Sequence, residues 1–164
     1  GSLYYYFPSK EAVLEALIAR TYEKPMEIAT TLADQKEISS FTRMAMIFQA
    51  CRNASLEFSK QKDSSSAGIY EGAYIHQMFL NHVITGLKGT LAQIIRQGIQ
   101  EGQITFEDPE ALAEIVLIVL TVKLDNTIVP STQEDVEKVM RALVSLLEKG
   151  TDNPMGSLNF LLAF

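Results

Sequence analysis

Apolar residues recur at spacings of three and four along nearly the whole chain, and the breaks between these runs fall at polar, Ser-, Pro- or Gly-containing stretches. In the first run, Val13, Leu14, Leu17, Ile18 and Tyr22 share a face. Ser9 precedes it as an N-cap, and Lys10 is the first helical residue. Pro25 should kink or break this helix, because it carries no N–H and its ring clashes with the preceding turn. A second helix is expected over Phe41–Phe58, with Phe41, Met44, Ala45, Phe48, Cys51 and Ser55 near one face. The Ser-rich stretch SKQKDSSSAG that follows is expected to be a mobile loop.

The most regular stripe comes next: Ile75, Met78, Phe79, His82, Val83, Gly86, Leu87, Thr90, Leu91, Ile94 and Ile95 predict a long amphipathic helix with a glycine C-cap near Gly102. Asp108 then reads as an N-cap with Pro109 in the first helical position. The helix expected over Asp108–Ile128 is apolar nearly all round between Ile115 and Val122, so it needs cover on two sides. A last strong helix runs from Ser131 or Thr132 to Gly150, with Ser131 and Glu134 as a capping box. The fold class is therefore all-α. The surplus apolar surface makes these last two helices half of a four-helix interface, with Ile115, Val119, Val122, Val136, Met140, Leu143 and Leu147 as its candidate residues. The tail TDNPMGSLNFLLAF is too apolar to stay in water and docks either on the body or on a partner.

Composition narrows the functional classes. A charge of −6 over 164 residues argues against this chain gripping nucleic acid by itself, since phosphate binding is built from Lys and Arg. The run IVLIVLTV is too short to span a bilayer and no export signal leads the chain, so a cytoplasmic protein with no membrane partner is expected. The one cysteine, Cys51, reads as core filler. There is no phosphate-cradling glycine loop, no triad spacing and no metal signature, so neither catalysis nor a cofactor is expected.

GSLYYYFPSKEAVLEALI, at Gly1–Ile18, has four rings in succession from Tyr4 to Phe7. It closely resembles the junction after the recognition helix in the TetR (tetracycline-repressor-like) family of transcriptional regulators: a small residue, Leu-Tyr, any residue, an aromatic, Phe, a short turn, Ser-Lys-Glu and a hydrophobic helix. LAQIIRQGIQEGQITFEDPEALAEIVLIVL resembles the regulatory part of such proteins more loosely. The resemblance implies a homodimer that binds operator DNA and releases it when a small effector binds. Residues 1–8 would be the end of a helix-turn-helix, 9–150 the effector-binding and dimerisation domain, and 151–164 a tail. Leu3 and Phe7 would anchor helices not in this sequence, while Ser2, Tyr4, Tyr6 and Lys10 would touch DNA.

Phe48, Phe58, Tyr70, Tyr74, Met78 and Phe79 suit either an apolar ligand cavity, with His82 as its polar tip, or ordinary core. His82 is accordingly either a hydrogen-bonded buried imidazole or an effector contact. His76 and His82 cannot share a metal from one regular helix. Gly86 and Gly89 mark close helix approach or room for a ligand. Lys123 and Asp125 are solvated or paired charges, or the edge of a pocket or seam. The other functional class is an all-helical ligand-binding or interaction module with no DNA role.

Overall fold

The computed structural model describes residues 9–64, 72–124 and 130–163. The expectations for Ser2, Tyr4, Tyr6, Tyr70 and Asp125, and for the side chains of Phe58 and His76, lie outside that description. Among the described residues there are six α-helices and no strand: α1 Lys10–Thr21, α2 Glu23–Ala33, α3 Ser40–Ser64, α4 Gly72–Gln100, α5 Pro109–Leu124 and α6 Gln133–Gly150, followed by a 3-10 turn at Asn159–Leu162. None of them is long and apolar enough to cross a membrane.

Local chemistry sets most of the boundaries. Ser9 Oγ accepts from the Ala12 N–H at 3.1 Å and caps α1. The chain then breaks at Tyr22, three residues before Pro25, because in an unbroken helix the proline ring would meet the Thr21 carbonyl. Pro25 thus sits within the first turn of α2, where its missing N–H would have had no intrahelical partner. Asp108 Oδ1 accepts from the Ala111 N–H at 3.0 Å and starts α5. Gly102, at φ +76°, turns the chain out of α4, and the Gln103 and Ile104 N–H groups then donate to the Gly98 carbonyl.

Two boundaries differ from expectation. Helix α3 runs on to Ser64, into the stretch expected to be a loop. The capping box of α6 is made by Thr132 and Asp135 rather than Ser131 and Glu134, because the Ser131 hydroxyl accepts from Lys123 Nζ at 2.8 Å.

Helix α4 is the axis of the bundle: α1, α2, α3 and α5 all pack on it. Val83, Leu87, Leu91, Ile94 and Ile95 are almost fully buried along its length. Each such aliphatic side chain contributes about 1.5–3 kcal/mol by leaving water. Helix α5 lies antiparallel to α4, held by ion pairs from Lys88 to Glu114 at 2.8 Å and from Arg96 to Glu110.

The two ends of the bundle are built differently. At one end, Arg43 is fully buried and its Nη1 donates to the Leu32 and Ala33 carbonyls and to Gln97 Oε1, while Gln97 Nε2 donates to the Ala33 carbonyl. A cation thereby closes the C-terminus of α2. Beside it, Ser40 Oγ donates to the Ile94 carbonyl and the Ser40 N–H to Gln103 Oε1. Gly98 lets this happen, since a Cβ there would stand 2.6 Å from both Ser40 Oγ and Ile104 Cδ1. The tail leaves α6 from the same end. Thr105 N–H donates to the Thr151 carbonyl, and Asn153 Nδ2 to the Gln103 carbonyl. The buried Glu148 carboxylate accepts from the Leu158 N–H at 2.9 Å, which seats Leu158 and Leu161 in the core. The tail therefore docks on the body.

Candidate functional site: an apolar cavity at the open end of the bundle

The opposite end is hollow. A cavity of ≈ 580 Å³ lies there, within the roughly 300–1,000 Å³ usual for small-molecule sites. Tyr22 reaches it from the α1–α2 junction, Phe48, Cys51, Arg52, Ser55 and Leu56 from α3, and Phe79 and Val83 from α4. Leu117, Leu120, Thr121 and Lys123 come from α5, Val136, Glu137, Met140 and Arg141 from α6, and Leu162 from the tail. Ser131 and Gln133 complete the edge.

Helical period explains this convergence. Phe48, Cys51, Arg52 and Ser55 fall at spacings of three and four on α3, as do Phe79 and Val83 on α4, Leu117, Leu120 and Thr121 on α5, and Val136, Met140 and Glu137, Arg141 on α6. The Tyr22 ring is fully buried between α4 side chains, 5.3 Å from Phe79 and 6.4 Å from His82, which meets it edge-on. The Cys51 thiol is pushed up to about 12 by burial, so at neutral pH it is an uncharged wall atom and not a nucleophile.

The sequence-predicted residues divide. Phe48 and Phe79 line the cavity. Met78 packs half-buried against the core, Tyr74 is exposed, and His82 stays behind Tyr22 without reaching the cavity. Lys10 is exposed at the start of α1. Of the residues assigned to a subunit seam, Val136 and Met140 line the cavity, and Leu147 is buried in the chain's own core. Val119, Val122 and Leu143 are half-buried, and Ile115 is 52% exposed. Ile118 at 43% and Leu146 at 68% also face outward on these two helices, although neither was among the residues assigned to the seam. Of the two glycines flagged on α4, Gly86 admits the Met26 thioether, whose Cε lies 2.6 Å from where a Cβ would stand, while Gly89 faces open space. Among the described residues no group of three or more His, Cys, Asp or Glu is placed to hold a metal.

The site residues that sequence reasoning missed include Tyr22, Arg52, Leu117, Leu120 and Arg141. Their signal was available only in part. Each lies on a legible helix face, but nothing in a single stripe says that α6 stands across from α3.

No protein-family model, curated protein or solved structure matches the chain.

Proposed function

We propose that this chain is the effector-binding and dimerising part of a TetR-type transcriptional regulator, in which a small molecule in the cavity releases operator DNA. The observation that carries this reading is that the cavity reaches Tyr22, the residue at which α1 ends and α2 begins. Helix α1 starts at Lys10, directly after the motif that resembles the end of a recognition helix. A ligand that displaces Tyr22 therefore acts on the base of the one helix that leads to the DNA-facing segment. It shifts the protein only by binding one arrangement better than the other.

Helix α5 supports the dimer half of the reading. Leu117 and Leu120 face the cavity while Ile115 and Ile118 face away from it, so one helix wall has a ligand on one side and an apolar surface for a second subunit on the other. The net charge of −6 suits a part that handles a ligand and leaves phosphate contacts to another.

The test is selection of binding sites from random DNA duplexes by the full gene product at low salt. A near-palindromic site is expected, with Lys10→Ala and Tyr4→Phe weakening affinity about uniformly across sequences. A product that binds ligands and selects no site is instead a helical ligand-binding module.

A further inference from the structure

We infer that the cavity takes a small amphipathic monocarboxylate, its apolar body among Phe79, Leu117, Leu120 and Met140 and its carboxylate at the edge between Arg52 and Arg141. The inference rests on reading this cavity as a ligand site and names the chemistry of what fills it.

The interior is hydrocarbon and aromatic, and Cys51 adds no charge to it. The edge is different. In a chain of net charge −6, three cationic side chains line this one cavity. Lys123 is engaged, donating to Ser131 Oγ at 2.8 Å. Arg52 on α3 and Arg141 on α6 line it from two different helices, and neither makes a hydrogen bond or ion pair to any described residue. Arg52 is half-buried and Arg141 exposed, so their planar forks remain available to an incoming group. A carboxylate matches that fork with paired N–H bonds.

The remaining charge on the wall sets the valence. Glu137 lies one turn before Arg141 and accepts from Gln133 Nε2 at 3.2 Å. Its negative charge opposes a multiply charged phosphate ester, which the apolar interior would also exclude. A neutral hydrophobe would fill the cavity while leaving the half-buried Arg52 without a counter-charge. A cationic amphiphile would meet two guanidiniums that no described residue pairs. A single negative charge on an apolar body satisfies all of these groups.

The experiment is isothermal titration of the 164-residue chain with decanoate and decyltrimethylammonium, each below its micellar concentration, and with 1-decanol below its solubility limit. Decanoate is expected to bind about tenfold or more tighter than decanol, as a charge-assisted hydrogen bond implies. Arg52→Gln and Arg141→Gln should bring that ratio toward one while decanol affinity stays constant, which also reports that the cavity is intact. Lys149→Gln, which removes a charge from α6 away from the cavity, should leave the ratio unchanged. Decanol or the ammonium binding as tightly as decanoate, a ratio unmoved in both arginine variants, or no binding by any of the three overturns the inference. None of these outcomes touches the DNA-site selection, so the regulator reading stands or falls separately.

Discussion

The Tyr22 ring centroid lies 5.3 Å from that of Phe79, with the two planes inclined at 57°. This pair joins the α1–α2 break to the central helix, and both rings also face the cavity. The same two rings therefore pack the core and line the cavity.

Phe79→Ala is expected to cost about 3–5 kcal/mol, as truncation of a buried ring does. Phe79→Leu should cost less and enlarge the cavity. Urea unfolding followed by circular dichroism measures both, and a cost below about 1 kcal/mol for the alanine variant would show that the ring is not core.

Arg43 and Arg96 offer a contrast between a buried and an exposed cation. Arg43→Ala removes three donated bonds and opens a hole at the dense end of the bundle, with an expected loss of about 2–4 kcal/mol. Arg96→Gln breaks a half-exposed ion pair and should cost less than about 1 kcal/mol. Equal melting-temperature shifts would contradict this assignment.

Glycine replacement on α4 should change sign with position. Gly89→Ala meets nothing within 4 Å and removes a flexible residue from a helix interior, a gain of about 0.5–1 kcal/mol. Gly98→Ala drives a methyl group against Ser40 and Ile104 and should destabilise. Differential scanning calorimetry on the two variants decides the matter.

Cys51 should resist alkylation. With the thiol pushed up to about 12, only about 10⁻⁴ of it is thiolate at pH 8, whereas the unfolded chain carries an ordinary thiol. Labelling by iodoacetamide, followed by mass spectrometry, should be slow in buffer and fast in urea; comparable rates would mean that the residue is solvated.

Leu146→Glu and Ile118→Glu test the proposed dimer. Both side chains are outward-facing, so the charge should weaken self-association without unfolding the subunit. Sedimentation equilibrium should show a monomer with unchanged helical content. An unmodified protein that is already monomeric refutes the dimer.

What was legible from sequence is what local chemistry decides. Ser9, Asp108 and Gly102 mark element ends because a cap needs only residues within one turn of it. Pro25 announced the α1–α2 break for the same reason. The capping box slipped by one residue because Lys123, on another helix, holds Ser131. The cavity was legible only as a set of rings. An apolar stripe says that a face is covered and not by what: Met140 fits a subunit seam by its spacing, yet its side chain is buried and lines the cavity. The arginines at the edge belong to polar faces of α3 and α6, and only the bundle brings those faces together.

The unequal ends of the bundle have a consequence for how the molecule moves. Where Arg43, Ser40, Gln97 and the docked tail interlock, opening any one helix breaks bonds in several others, so amides around Ile94 and Ile95 should exchange with deuterium only in global unfolding. Around the cavity the helices meet across empty volume, and amides of Val119–Val122 and Val136–Met140 should exchange through smaller, faster openings. A ligand that fills that volume would even out the gradient, so that slowed exchange, rather than displaced coordinates, would be the first sign of its arrival.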